Sequence, residues 1–354
     1  MQLSKEQLIR WLRENDQSQL DKLWRRADEV RRKVVGNEVH LRGLIEISNF
    51  CCRLCAYCGL RAENKGVQRY RMGIEEILEA AKKAEALGYG TVVMQSGEDY
   101  GITGPWLADV IRAIKETTPL AVTLSMGERP VDDLRLWREA GADRYLLRFE
   151  TSDPRLYKLI HPTPADRPYR DRLSILPVLR QLGYEIGGGV MVGIPGQTYE
   201  ILAEDLLAFQ RLDLDMIGVG PYLSHPDTPL GSGALKPETI AGEQTPNSEE
   251  LTYKVLALTR LLCPEANLPS TTALATVNLE SGRECGLQRG ANVIMPNLTP
   301  PEYRALYEIY PEKACIKDAP NECHSCMHER IERIGRIPGR GRGDRKRDTA
   351  SAAS

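Results

Sequence analysis

No charge of either sign dominates this sequence: 47 Lys and Arg against 49 Asp and Glu leave a formal net charge of −2. A nucleic-acid partner, which calls for a basic surface, is not expected. Long apolar runs are missing as well, so no membrane span is expected. The first residues, MQLSKEQLIRWLREND, are charged from Lys5 onward, unlike a secretory leader. The expected compartment is the cytoplasm. A phosphate loop is also missing, since GIPG at 193–196 has no Gly-Lys-Ser/Thr after it. What the chain does carry is cysteine. Nine of them in 354 residues, in a reducing compartment, point to metal or redox chemistry rather than disulfides.

Residues 1–40 read as a helical extension, opened by a capping box at Ser4 and Gln7 and an apolar stripe of Leu8, Trp11 and Leu12. Eight candidate strands follow, at 44–48, 91–95, 121–125, 145–149, 188–194, 216–220, 270–275 and 292–296. Amphipathic stretches alternate with them, and glycines stand where helices should stop, at Gly88, Gly141, Gly183 and Gly290. Eight alternating units imply a parallel α/β sheet. Closure into a (β/α)8 TIM-type barrel over 41–310 is the favoured form, and an open doubly wound sheet is the alternative. A cysteine-containing segment at 311–330 and a basic tail at 331–354 complete the chain. Arg330 to Arg347 hold eight basic residues and two acids, a composition that reads as solvated disorder. The Pro-, Gly- and Ser-rich stretch 224–250 should lie as a long loop on the barrel's C-terminal face.

Four cysteines crowd into ISNFCCRLCAYCGL (47–60), just after the first strand. In a parallel barrel such loops form the active face. Two registers are open: Cys51, Cys55 and Cys58, or Cys52, Cys55 and Cys58. The second resembles half of a ferredoxin site but lacks the fourth Cys followed by Pro. A four-cysteine zinc site would need the adjacent Cys51 and Cys52 to converge, which an extended backbone disfavours. Three thiolates on a four-iron cluster would leave one iron open for chemistry. In the fourth strand, alternation puts Arg144, Leu146, Arg148 and Glu150 on one face. An inward Arg148–Glu150 pair at the strand's end is costly unless it meets a ligand or satisfies itself. Thr123 and Ser125 share a face of the third strand, and Gly187, Gly188 and Gly189 thin the fifth.

The spacing C-x3-C-x-Tyr-C is similar to the motif of radical S-adenosylmethionine (SAM) enzymes. The blocks RYRMGIEEI, QSGED, TLSMGERP, AGADRYLLRFET, MVGIPGQT, GVGPYLSHPDTPL, PSTTALAT and GANVIMPNLTPPEYR resemble the FeFe-hydrogenase maturase family HydE, from about residue 40 to the tail. The resemblance implies that Cys51, Cys55 and Cys58 hold a 4Fe–4S cluster, with Cys52 packed away. It implies that Tyr57, Gln95, Ser96, Gly97, Thr123, Ser125, Glu150 and Arg172 serve SAM. Arg148, Thr271, Thr272 and Tyr303 would line the substrate cavity. The implied activity is reductive cleavage of SAM to a 5′-deoxyadenosyl radical, used on a sulfur-ligated iron precursor of the hydrogenase two-iron subcluster. The implied partners are sister maturases of the HydG and HydF types and a reductant such as ferredoxin or flavodoxin. The expected state is a monomer.

Cys315, Cys323 and Cys326 read C-x7-C-x2-C and suggest a second iron–sulfur cluster, 2Fe–2S or 4Fe–4S. His324 and His328 leave zinc as the alternative. Cys263 and Cys285 read as buried small hydrophobes. Biotin synthase and methylornithine synthase share the motif and barrel, but the former keeps cysteines on barrel strands and no candidate strand here has one. An iron–sulfur electron carrier is the rival of another class. Converging Arg148, Glu150 and Arg172 argue against it, because a carrier needs no such cavity.

Overall fold

The computed structural model describes residues 3–163, 171–314 and 320–346, with side chains in the last span from 324. Strands are β1 (Glu38–Ser48), β2 (Thr91–Ser96), β3 (Ala121–Ser125), β4 (Arg144–Leu146), β5 (Glu185–Val192), β6 (Met216–Pro221), β7 (Val293–Ile294) and β8 (Ile337–Gly339). β1 to β6 pair in parallel in sequence order, and β7 returns to the other side of β1. Single bridges of Met216 to Asn267 and of Pro269 to Val293 fill the gap between β6 and β7. Residues 267–269 thus take the seventh place, and the ring of eight parallel segments closes.

The seventh strand was expected at 270–275, and this is corrected. Thr271 turns its hydroxyl onto the Leu274 amide and caps a helix over Thr272–Val277. A threonine that caps a helix looks, in a Thr-Thr-Ala-Leu string, like a β-branched strand residue. The glycines expected at helix ends adopt left-handed backbone there, for example Gly88 at φ 75° and Gly183 at φ 88°.

At the N-terminus, Ser4 and Gln7 form their capping box and open the helix Lys5–Arg13, which buries Leu8 and Leu12. A second helix, Gln17–Val34, buries Leu20, Leu23 and Ala27. Both cover helices of the barrel's outer ring. No helix of the described residues is long and apolar enough to cross a membrane.

The basic tail expected as solvated disorder is packed under the barrel as far as Lys346; residues 347–354 lie outside those described. β8 pairs with the start of β1. Beyond it, the floor is lined by Arg42, 3% exposed, and Arg144, 0% exposed. Arg144 bonds Glu185 at 2.6 Å, the Arg342 carbonyl at 3.0 Å and the Asp344 carboxylate. Arg42 donates to the Gly343 carbonyl at 2.9 Å. Arg345 reaches Asp213, Asp215 and Glu265 on the rim. Buried cations thus receive the chain's own acceptors, as burial of charge requires.

Candidate active site

β1 ends at Ser48, and the chain leaves the ring as the cysteine loop. Asn49, fully buried, anchors its base: Oδ1 accepts from the Tyr70 amide at 2.7 Å, and Nδ2 donates to the carbonyls of Gln68 and Leu306, each at 2.8 Å. The loop then rests on the end of β2, where Gly97 leaves no room for a side chain. A Cβ there would stand 2.2 Å from the Phe50 carbonyl oxygen. Farther along, Ala56 donates to Ile160 and accepts from Leu230, and Gly59 donates to Ile309. Ala56, Leu156, Ile160, Ile194, Tyr222 and Leu230 form a small apolar cluster around these contacts. Part of the 224–250 loop is therefore a brace for the cysteines.

The barrel mouth encloses about 270 Å³. Its walls include Cys51, Cys55, Cys58 and Tyr57 from the loop, Gln95, Ser96 and Gly97 from β2, and Ser125 from β3. Arg148, Glu150 and Arg172 complete the set. Cys52 is not on the wall; its Sγ lies 3.6 Å from Glu98 Oε1. Thr123 sits a layer deeper, buried, with no partner for its hydroxyl among the described residues.

Three expected substrate residues stand elsewhere. Thr271 is the helix cap behind Gly220, and Ala273 rather than Thr272 reaches the wall. Tyr303 faces outward, donating to Glu76 at 2.7 Å with its ring stacked on Tyr70. Tyr307 and Tyr310 line the cavity instead. Cβ atoms at Gly187 and Gly188 would strike Leu146, Leu214, Met216 and Phe149, so these glycines serve protein packing. Cys315 and the Cys323 side chain lie outside the described residues; Cys326 is exposed on the helix Pro320–Arg333.

Glu150 holds a left-handed backbone, φ 67°, a conformation that costs a non-glycine residue free energy. It follows a bulge in which the amides of Phe149 and Glu150 both donate to the Gly189 carbonyl, at 3.2 and 3.0 Å. The bulge ends regular pairing and keeps Glu150 at the wall beside Arg148. Arg148 Nη2 bonds Glu150 at 2.9 Å and the Val190 carbonyl at 2.7 Å, while its buried Nε has no partner among the described residues. The pair is self-satisfied only in part.

Part of this wall is a buried quartet that the sequence reading missed, with Arg53, Glu98 and Arg172 lining the cavity. Glu128 accepts from Arg53 at 2.9 Å and Arg172 at 3.1 Å, and Glu98 accepts from the Glu128 amide at 2.9 Å. Glu98 and Glu128 are 4% and 1% exposed. Burial and the Glu128 charge push the Glu98 carboxyl up. Arg172 also donates to the Arg148 carbonyl at 2.8 Å, and His161 Nε2 lies 3.0 Å from the Tyr57 hydroxyl. Burial and the two arginines hold His161 neutral, its pKa pushed well down. Arg53 sits inside the cysteine motif, and that position was the one available signal.

Burial raises all three cavity thiols, Cys51 to about 12, and their mutual repulsion raises Cys51 and Cys58 further. Backbone amides oppose this: Arg53 and Glu98 each place an N–H 3.4 Å from Cys51 Sγ. Buried thiols with amide donors suit thiolates whose charge a metal core offsets.

Residues 45–208 match the Radical SAM superfamily model. The [FeFe] hydrogenase maturase subunit HydE of Thermotoga maritima is 48% identical over 333 residues, 94% of this chain and 91% of that protein. The chain belongs to the HydE family. HydE proteins are radical SAM enzymes, and the family implies a 4Fe–4S cluster and SAM. The 3-methylornithine synthase of Methanosarcina acetivorans is 28% identical over 83% of this chain and 79% of that one. A crystal structure of methylornithine synthase has a TM-score of 0.80 at 24% identity, covering 96% of this chain and 95% of that chain, a likeness of fold. The donors in this HydE-family chain fit the cluster. Among the described residues no three side chains are gathered around one metal ion, and a four-iron cluster does not ask for that, because its thiolates bind separate irons. The described cysteines all lie off the barrel strands, unlike the strand cysteines expected of a biotin synthase.

Proposed function

We propose that this protein acts in the cytoplasm in assembly of the FeFe-hydrogenase two-iron subcluster, on a sulfur-ligated iron precursor, beside HydG- and HydF-type maturases. Cys51, Cys55 and Cys58 hold the cluster in this reading. Tyr57, Gln95, Ser96, Gly97, Ser125 and Glu150 surround SAM. When bound, cluster and SAM supply reductive cleavage to methionine and a 5′-deoxyadenosyl radical. The protein's own work is to shape a dry chamber and orient what enters it. Tyr307, Ile309 and Tyr310 wall the chamber. Glu150 accepts from an ammonium group. Arg172, tied to Glu128, acts as a support that fixes the Arg148 carbonyl.

The observation that carries the substrate reading is Arg148. Its side chain is 31% exposed at the cavity wall and its Nε has no partner among the described residues, so its fork suits a carboxylate or another small anion. Tyr310 lines the same cavity and brings a hydroxyl. Lysine, the methylornithine precursor, would need further free carboxylates for its two ammonium groups. Glu98, which lines the cavity, already accepts from the Glu128 amide and lies 3.8 Å from Arg53; Glu128 is held by Arg53 and Arg172, and Glu46 by Lys313 at 2.5 Å. Cysteine-derived thioether carboxylates should therefore accept the 5′-deoxyadenosyl group at sulfur, the new C5′–S bond replacing a C–S bond whose carbon leaves as the radical, while lysine stays inert. Anaerobic reconstitution, then mass spectrometry of single-turnover products, tests this. Conversion of lysine to methylornithine with no adenosyl–sulfur product would overturn it. Cys315, Cys323 and Cys326 hold a second cluster in this reading, and a ferredoxin or flavodoxin supplies the electron.

A further inference from the structure

The segment that returns from the cysteine loop carries an arginine with an unusual set of partners. Arg69 Nη1 donates to the carbonyls of Asn49 at 2.5 Å and Leu60 at 2.9 Å. Nη2 donates to those of Arg61 at 2.9 Å and Asn64 at 3.2 Å. Asn49 precedes the motif Cys51–Cys58, and the other three follow it. One planar guanidinium thus gathers both ends of the loop, a task for which its fixed fork is suited.

The charge of Arg69 is left over. Its four acceptors are neutral carbonyls, and no carboxylate of the described residues lies within ion-pair distance of it. Neighbouring Arg61 differs, being matched by Glu63 at 2.7 Å. Arg69 is half-buried; burial lowers its pKa while Cys51 and Cys58 oppose the shift, and the carbonyls it holds at Asn49 and Leu60 each lie two residues from one of those cysteines.

We propose that Arg69 is a positioning residue for the cluster-binding loop, clamping its two ends and setting an uncompensated positive charge beside the sulfurs of Cys51 and Cys58. The proposal rests on the assignment of the cluster to that loop. Reduction adds one negative charge to the cluster, and a nearby fixed cation stabilises the reduced form, so net charge in the surroundings sets the potential. Removing Arg69 takes that cation away and leaves four carbonyl oxygens without their donor. Loss of the cation disfavours reduction.

The test uses the reconstituted full chain. The signal of the site cluster is identified by its response to SAM, and its midpoint is followed by redox titration under electron paramagnetic resonance. Arg69→Gln should shift the midpoint to more negative potential. At a fixed potential the reduced-to-oxidised ratio should fall roughly tenfold, which is about 59 mV for one electron. Arg69→Lys keeps the charge and loses the fork. It should keep the parent midpoint but lose iron to a chelator several-fold faster. A parent midpoint in Arg69→Gln overturns the proposal whatever its iron content. If that variant does not fold, Arg69→Lys decides alone: iron retention equal to the parent's overturns the clamp. A parent chain with no SAM-responsive signal would instead sink the cluster assignment, a result distinguishable from either.

Discussion

Gly343 in the tail under the barrel offers a substitution whose cost can be worked out. Its φ is +62°, and a Cβ there would stand 2.7 Å from His40 Cγ and 2.8 Å from Nδ1. His40 cannot step aside cheaply, because a Cβ at Gly339 would stand 2.8 Å from the same Nδ1, so the ring is enclosed from two directions. Gly343→Ala should therefore cost about 1 kcal/mol for left-handed backbone and a further ~1–3 kcal/mol for overpacking. Gly341 supplies the control. It lies two residues away with φ +76°, and its Cβ would meet nothing within 4 Å. Gly341→Ala should cost the backbone term alone.

The tail can also let go, so the loss is capped at the free energy that docks it. At about 2 °C per kcal/mol for a chain of this size, Gly343→Ala should lower Tm by roughly 4–8 °C and Gly341→Ala by roughly 2 °C. Scanning calorimetry at one scan rate measures both. Limited trypsin digestion with mass spectrometry should show faster cleavage after Arg342 and Arg345 in Gly343→Ala. Equal Tm and equal cleavage for the two variants would mean that the tail is not packed against His40, and the solvated tail read from composition would stand.

Cys51→Ala, Cys55→Ala or Cys58→Ala should each lose cluster iron and SAM cleavage together, whereas Cys52→Ala keeps both. If Cys52→Ala abolished cleavage and Cys51→Ala kept it, the ferredoxin-like register would be correct. Replacing Cys315, Cys323 and Cys326 together should lower iron content and leave SAM cleavage largely intact; a folded triple variant without cleavage would make the outer site an obligatory electron relay. Burial pushes the Asp205 carboxyl up to about 7 despite donors from Ser152, Thr151 and Gln197. With the folded value above the unfolded one of 3.8, its contribution is full below pH ~4 and is lost as pH rises through ~7, on the order of 4 kcal/mol in all. Asp205→Asn cannot ionise and should flatten that slope in urea denaturation between pH 5 and 8; parallel slopes would refute the assignment.

The parts legible in the sequence are those written in local spacing. The cysteine triad, the glycines after helices and the alternation of strands and helices are patterns of a few residues each. What stayed hidden depended on partners far along the chain. Tyr303 and Tyr307 lie one turn apart, and nothing local says which looks inward. Arg304 settles it, being buried and donating to the carbonyls of Asn297 and Thr299. Glu128 carries no local sign of its role because Arg53 and Arg172, its partners, come from other elements. The run GRGRGDR looked solvated because its acceptors and donors, Arg42, Arg144 and Glu265, are distant in sequence.

β4 and its continuation put one face of a single segment through the whole barrel, and its charges meet different fates at the two ends. Arg144 at the floor is fully buried, and the chain's own tail, with Glu185, supplies its counter-charge. Leu146 follows at the edge of the cavity. Arg148 and Glu150 at the mouth satisfy each other only in part, and the Glu150 backbone is held in a costly conformation. Identical side-chain chemistry is structural below and available above. The difference lies in whether the fold uses all the hydrogen-bonding capacity of the group. A buried cation with every donor engaged closes a barrel, while one with a donor left over at a cavity wall is ready for a ligand. By that criterion Arg148, rather than Arg144, is the arginine of this barrel to which a substrate anion should bind.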